Sequence, residues 1–286
     1  MWLLRAAGGA IYLKHKKRVK TYITCDIYSV KYFFFAVKQH AAHAVRSLLS
    51  LMMGGTECVV CGAQSCSFSV CSSCRKKYFT FSLCVGEERC AVCGRVLVSE
   101  HGVCMQCRRE KVLEHTDTVL PLFSYRLWNS MLLFRWKING ERALSSFFAE
   151  QIALALKALP AFDAVVPVPP RPGKIRKKGW DQIEDICSFL ESHYRIAVCR
   201  MLARNSKDEQ KTLDKNRRLA TAKRSYSVKT GSCLKKALYA TNGIMPRAVC
   251  LIDDVLTTGA TIESCASALT LAGVEHIHAV TLFIVD

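Results

Sequence analysis

Val249-Cys250-Leu251-Ile252-Asp253-Asp254-Val255-Leu256-Thr257-Thr258-Gly259-Ala260-Thr261 runs from an apolar strand into two adjacent carboxylates and then into a hydroxyl- and glycine-rich turn. Val249 to Ile252 is the short apolar run of a central parallel strand, and Ile262 to Ala272 carries helix-favouring spacing that ends at Gly273. The turn therefore falls at a strand's carboxyl end, where open α/β sheets bind their ligands. Thr257, Thr258, Gly259, Ala260 and Thr261 can offer N–H groups and hydroxyls to one phosphate, backed by the positive end of the helix dipole. Asp253 and Asp254 would repel that phosphate. As paired acceptors they suit the vicinal hydroxyls of a ribose, so the stretch describes a site for a phosphorylated sugar.

A Walker P-loop ends in Gly-Lys-Ser/Thr, and the absence of lysine from this turn removes that reading. The plain alternative is an acid pair capping a helix for stability alone. Strand, acid pair and turn in this order favour the ligand site. The stretch resembles the phosphoribosyl pyrophosphate motif of type I phosphoribosyltransferases. That resemblance implies that Asp253 and Asp254 hold the ribose hydroxyls and that the Thr257–Thr261 turn holds the 5′-phosphate.

Outward from the motif, strands are expected near Val119–Tyr125, Ala164–Val168, Ile196–Cys199 and Ala279–Val285, with helices between most of them. Helical spacing joins Leu144, Phe147, Phe148, Ile152 and Leu159, and again Ile183, Ile186, Cys187 and Leu190. This alternation predicts an α/β fold with a mostly parallel sheet over residues 115–286. Pro167, Pro169 and Pro170 end a strand in a rigid loop that leads to Arg171, Lys174, Arg176, Lys177 and Lys178. Those cations, Lys177 and Lys178 above all, could hold a pyrophosphate leaving group; a solvated basic loop is the bland reading. Asp181 is positioned to cap the following helix. Residues 204–236 hold a second basic block that could close over a polyanion or bind single-stranded nucleic acid with Tyr226 stacking on bases.

Upstream, four Cys-x-x-Cys knuckles follow one another: Cys58 and Cys61, Cys71 and Cys74, Cys90 and Cys93, Cys104 and Cys107. Two knuckles supply the four thiolates of a tetrahedral structural Zn²⁺ site, so eight cysteines imply two zincs in a double ribbon over residues 53–110. Gaps of nine and ten residues within the sets and fifteen between them suit sequential pairing, with a cross-braced pairing as the alternative. A redox role needs one such pair rather than four, and an iron–sulfur cluster is the competing metal reading. Cys66 and Cys84 fall outside the knuckles as spare thiols. Closed four-sulfur sites have no open position for catalysis.

The chain has 286 residues, half of them hydrophobic, and a formal net charge of +18, which calls for an anionic partner. Sixteen cysteines, eight of them in knuckle spacing that favours metal, without a clear signal peptide indicate a reducing cytoplasm. Residues 1–52 carry nine Lys or Arg against one acid, Asp26, and offer no uninterrupted apolar span near the ~20 residues of a membrane helix. This basic extension is expected to be dispensable, with a start at Met52 or Met53 as one version of that expectation.

The order from Cys58 to the C-terminus resembles the ComF competence-protein family, a double zinc ribbon followed by a type I phosphoribosyltransferase domain. The knuckles carry the resemblance, with Lys137 before Gly140, Pro167-Val168-Pro169, Gly179 to Gln182, Gln210 with Leu213 and Arg217, and the Asp253–Gly259 motif. It implies phosphoribosyl pyrophosphate with Mg²⁺ as ligand, and Lys137, Lys177 and Lys178 as cations for the pyrophosphate. It also implies a role in DNA uptake, with single-stranded DNA and a helicase-like competence protein as partners. The family's Arg-Gly-Phe-Asn-Gln is here Lys178-Gly179-Trp180-Asp181-Gln182, which keeps charge but loses a bidentate guanidinium. Lys207 and Ala220 also stand where the family usually has threonine and asparagine. The alternative function is an inactive adaptor that binds single-stranded DNA through the ribbons and basic surfaces; a nucleotide-salvage enzyme would need a base pocket with no sequence signature here.

Overall fold

The computed structural model describes residues 56–65, 69–79, 88–125, 128–170, 179–205 and 225–285. Within Ser50–Asp286, one compact unit, the elements in chain order are β1 (Thr56–Glu57), β2 (Gln64–Ser65), α1 (Ser72–Tyr78), α2 (Met105–Arg109), β3 (Thr118–Ser124), α3 (Trp128–Lys137), α4 (Ala143–Leu156) and β4 (Ala164–Pro167). They continue with α5 (Gln182–Tyr194), β5 (Leu202–Arg204), β6 (Tyr226–Val228), α6 (Gly231–Ala237), a 3₁₀ turn (Leu238–Thr241), β7 (Ala248–Leu256), α7 (Ala260–Leu271) and β8 (His276–Ile284). The expectations for residues 1–52, Cys66, Cys84, Lys177, Lys178 and the span 206–224 lie outside the described residues.

β3, β8, β7 and β4 lie side by side in that order, and every pairing is parallel. Alternate residues of β7 serve the two faces. Cys250 and Ile252 enter one core with Trp136, Phe148, Ile186 and Leu190, while Val249 and Leu251 enter the other with Ile262, Leu269 and Met201. Helices thus cover both faces, which is why β7 reads as an unbroken apolar run instead of alternating.

The expected strand near Ile196–Cys199 reduces to a single parallel bridge, Val198 to Val165, on the outer side of β4. That bridge fixes the topology. The chain leaving β4 crosses through α5 outward to Val198, whereas the chain leaving β7 crosses through α7 in the opposite direction to β8. The two crossovers diverge, so the carboxyl ends of β4 and β7 bound a crevice at a topological switch point. Asp181 caps α5 as expected, accepting from the amides of Ile183 at 3.0 Å and Glu184 at 3.1 Å.

Each cysteine cluster grips a different part of this frame. Beside the first, Arg75 makes a two-pronged pair with Glu150 of α4 and lies 5.1 Å from the centre of the Phe147 ring. Arg135 of α3 donates to the Val59 carbonyl. Beside the second, Arg89 donates to the carbonyls of Gly94 and Pro121, at 2.9 and 3.1 Å, tying its knuckle to the edge strand β3.

Gly94 and Gly62 hold equivalent knuckle positions with φ of +71° and +73°, yet their surroundings differ. A Cβ at Gly94 would stand 2.0 Å from the Val119 carbonyl oxygen and 2.6 Å from Pro121 Cδ; at Gly62 it would meet nothing within 4 Å. Gly62→Ala is therefore expected to cost only the left-handed backbone, about 1–2 kcal/mol. Gly94→Ala adds a clash with backbone that cannot yield locally, for about 4 kcal/mol or more. Urea unfolding of the two variants checks this, and equal midpoints would contradict the seating of the second knuckle on β3.

Candidate functional site

The eight knuckle cysteines form two quartets, Cys58–Cys61–Cys71–Cys74 and Cys90–Cys93–Cys104–Cys107, with the sulfurs of each within 4.8 Å of one another. Pairing is sequential, and the cross-braced alternative is excluded. Cys61 and Cys71 sulfurs are 3.8 Å apart, as are those of Cys93 and Cys104. A tetrahedron with Zn–S bonds of about 2.3 Å has sulfur–sulfur edges of about 3.8 Å, so the quartets match the ion they would hold. Amides aim at the sulfurs: Cys71 N–H reaches Cys58 Sγ and Cys104 N–H reaches Cys90 Sγ, both at 3.3 Å. Burial alone would raise the Cys58 thiol, but these amide contacts outweigh it and bring it down to about 6; the same balance brings Cys90 to about 7. Each quartet could thus hold zinc, with a thiolate prepared for it.

At the crevice, β7 continues through the acid pair to Leu256 because β8 runs alongside it, pairing Asp253 with Thr281 and Leu256 with Ile284. The strand is longer than its apolar run suggests. β4 pairs with β7 only as far as Pro167 and Ile252, so the acid pair follows directly where β4 departs and the edge opens. Asp253 and Asp254 are both half-buried, and their carboxyl groups interact with one another.

Lys137, the last residue of α3, places its ammonium 2.5 Å from Asp254. Its carbonyl accepts from Gln182 Nε2 at 3.2 Å, and Gln182 is fully buried at the start of α5. Two elements far apart in sequence thereby hold one lysine on the acid pair. Asp253 Oδ1 accepts from the Asp254 amide at 2.8 Å. Burial first, and the neighbouring Asp254 charge second, push the Asp253 carboxyl well above the usual carboxylate range, against the lowering pull of the Asp254 amide and Lys137.

The Thr257–Thr261 turn follows at once. Thr257, Thr258 and Ala260 are exposed, Thr261 is half-buried, and Gly259 is buried with φ of +86° at the start of α7. Thr258 Oγ1 accepts from the Ala260 amide at 3.4 Å. Tyr226, expected to stack on bases, is instead only 4% exposed, hydrogen-bonded to Thr261 and covered by Arg204 at 5.3 Å. Its ring is walled in by its neighbours, which removes the stacking role.

Two buried polar atoms lack a hydrogen-bond partner here: Thr281 Oγ1, in register with Asp253, and Gln182 Oε1, beside Lys137. Buried polar groups are normally satisfied, and both residues are themselves fully buried at the base of the crevice-forming strands and helix. Paired carboxylates beside such atoms are hard oxygen donors of the kind that hold hydrated Mg²⁺.

The raised Asp253 carboxyl has a measurable consequence. Between the usual range near pH 4 and its raised value, the folded chain holds a proton that the unfolded chain has released. Stability from this group is therefore lost as pH rises through that window. The melting temperature of the ligand-free, zinc-loaded protein is expected to fall relative to Asp253→Asn as pH rises from about 5; parallel profiles would mean that Asp253 ionises normally.

No family model matches the chain. Among curated proteins it is 26% identical over 219 residues to Competence protein ComFC of Streptococcus pneumoniae, covering 74% of this chain and 86% of that one. It is 24% identical over 216 residues to Competence protein F of Haemophilus influenzae, covering 73% of this chain and 87% of the relative. With two cysteine quartets ahead of a parallel sheet that carries an acid pair at its switch point, the chain is similar to these competence proteins.

Proposed function

We propose that the crevice between β4 and β7 binds phosphoribosyl pyrophosphate with Mg²⁺ and that the protein serves the uptake or use of external DNA. The observation that carries the ligand reading is the contact of Lys137 with Asp254 at the switch point, directly ahead of the hydroxyl-rich turn. Asp253 and Asp254 hold the ribose hydroxyls, the Thr257–Thr261 turn takes the 5′-phosphate, and Lys137 exchanges its carboxylate partner for pyrophosphate oxygens. Lys177 and Lys178 share that load. Mg²⁺ supplies charge neutralisation on the pyrophosphate. In a transfer reaction, pyrophosphate leaves C1 of the ribose, a nitrogen nucleophile takes its place, and the acid pair stabilises the oxocarbenium-like transition state.

In this reading a double zinc ribbon over 53–110 precedes a phosphoribosyltransferase-type domain over 115–286, and the protein works in the cytoplasm. Among the described residues no helix is long and apolar enough to cross a membrane. Competence enters through the names of the two relatives. Basic residues, 41 against 23 acids, suit contact with single-stranded DNA and with a helicase-like partner in the same process. The test is genetic and chemical together: deletion in the host should lower transformation by external DNA, and the native gene should restore it. Restoration by a gene encoding Asp253→Asn with Asp254→Asn would separate the competence role from the ligand site. Unchanged transformation after deletion would remove the competence role.

A further inference from the structure

The second cysteine quartet does more than close a ribbon. Seven positions after Cys107, the Glu114 amide donates to Glu263 at 2.8 Å; the next amide, of His115, does so at 3.2 Å, and the His115 ring meets the same carboxylate at 2.5 Å. Glu263 lies in the first turn of α7. Between Cys107 and these contacts, Leu113 is 5% exposed and lies against Gly259: a Cβ there would stand 3.0 Å from Leu113 Cγ. Gly259 thus meets two demands at once, a left-handed backbone and the close approach of Leu113.

A second connection starts inside the knuckle. The Arg95 carbonyl accepts from the Cys90 amide at 2.7 Å, and the Arg95 guanidinium donates to Gln106 at 3.1 Å and to the Val285 carbonyl at 2.9 Å. The Val285 amide in turn donates to Leu256 at 2.9 Å, and Leu256 immediately precedes Thr257. Between the two connections lies a cavity of about 60 Å³ lined by Cys93 and Cys107 on one side and Thr257, Thr258 and Gly259 on the other. Among the described residues, the contacts around the first quartet run to α3 and α4 through Arg75, Arg135 and Phe79.

We infer that Leu113 and Arg95 are positioning residues that couple the second metal centre to the Thr257–Thr261 turn, so that a filled centre holds the turn in its binding shape and a ligand on the turn protects the centre. The functional side of this coupling rests on the phosphate reading of the turn proposed above. Coupling of this kind is reciprocal: whatever factor the filled centre adds to ligand affinity, the ligand adds to retention of the metal. Among the described residues the first quartet shares neither connection, and it stands outside the coupling.

The test uses the full-length, zinc-loaded chain and Leu113→Ala, which leaves all eight thiolates in place. Without any ligand, the amides of residues 257–261 are expected to exchange with deuterium about tenfold faster in Leu113→Ala, while those of β7 up to Ile252 stay unchanged. With saturating ribose 5-phosphate, alkylation of Cys93 and Cys107 in the presence of a chelator should slow about tenfold in the native chain. Cys58, Cys61, Cys71 and Cys74 should react at the same rate with or without it. In Leu113→Ala that protection should vanish. Unchanged exchange in the variant overturns the coupling whatever the ligand does. Equal alkylation in the native chain, with binding shown by calorimetry, overturns it as well. Absent binding together with the faster exchange would instead remove the phosphate reading and leave the positioning of the turn standing.

Discussion

The double variant Asp253→Asn, Asp254→Asn is expected to fold, to keep two zincs and to lose affinity for Mg²⁺–phosphoribosyl pyrophosphate by a hundredfold to ten-thousandfold. Each aspartate gives up a charge-assisted hydrogen bond to ribose or to the hydrated ion, worth about 1.5–3 kcal/mol, and two such losses make about 3–6 kcal/mol. Folding should survive because asparagine keeps the shape of aspartate and both positions are half-buried. The substitution at 253 even relieves a carboxyl whose ionised form is disfavoured where it stands. Lys137 loses its partner at Asp254, a cost moderated by its partial exposure. Circular dichroism and zinc content establish the fold, and calorimetry reads the affinity. An affinity within threefold of native would take the acid pair out of the site.

Loss of a quartet is expected to have the largest effect on stability. Cys58→Ser or Cys104→Ser should release one zinc equivalent each and abolish cooperative unfolding at 37 °C, because a structural zinc contributes about 10–16 kcal/mol of binding free energy. Whole domains are stable by only about 5–15 kcal/mol, so this loss is not absorbed elsewhere. Both residues are nearly inaccessible, 2% exposed, and belong to the cores that also bury the sheet. Cys233→Ser is the control: it is exposed, belongs to neither quartet, and should leave zinc content and melting unchanged. If Cys58→Ser and Cys104→Ser melted as Cys233→Ser does, the quartets would be bystanders.

How far the sequence carried can be read from individual residues. The apolar run Val249–Ile252 announced a buried parallel strand because both faces are covered, and it stops where β4 stops, at Pro167 opposite Ile252. What lay beyond was hidden, since β8 pulls the acid pair into the sheet through pairings that no local pattern encodes. The knuckles were legible as metal ligands from spacing alone, yet their partnership required the folded distances. Asp181 was readable as a cap because capping is local. Tyr226 misled for the opposite reason: an aromatic among basic residues suggests stacking, and only tertiary packing under Arg204 buries it.

Leu113 shows where such reading ends. A single leucine between Glu110, Lys111, Glu114 and His115 has no period and no motif, and its role comes from meeting a glycine almost 150 positions away. Lys137 could be named from the family resemblance, but its contact with Asp254 depends on α3 and β7 ending at the same crevice. Gln182 carried no role in the sequence beyond its motif and proves to hold that lysine's carbonyl.

Calorimetric titration of the zinc-loaded native chain with phosphoribosyl pyrophosphate and Mg²⁺ tests the central claim most directly. Saturable binding of one ligand per chain, dependent on Mg²⁺ and displaced by pyrophosphate, is the predicted result. A folded chain with both zincs that takes up no ligand would contradict it, and would shift the function to the basic surfaces that meet DNA.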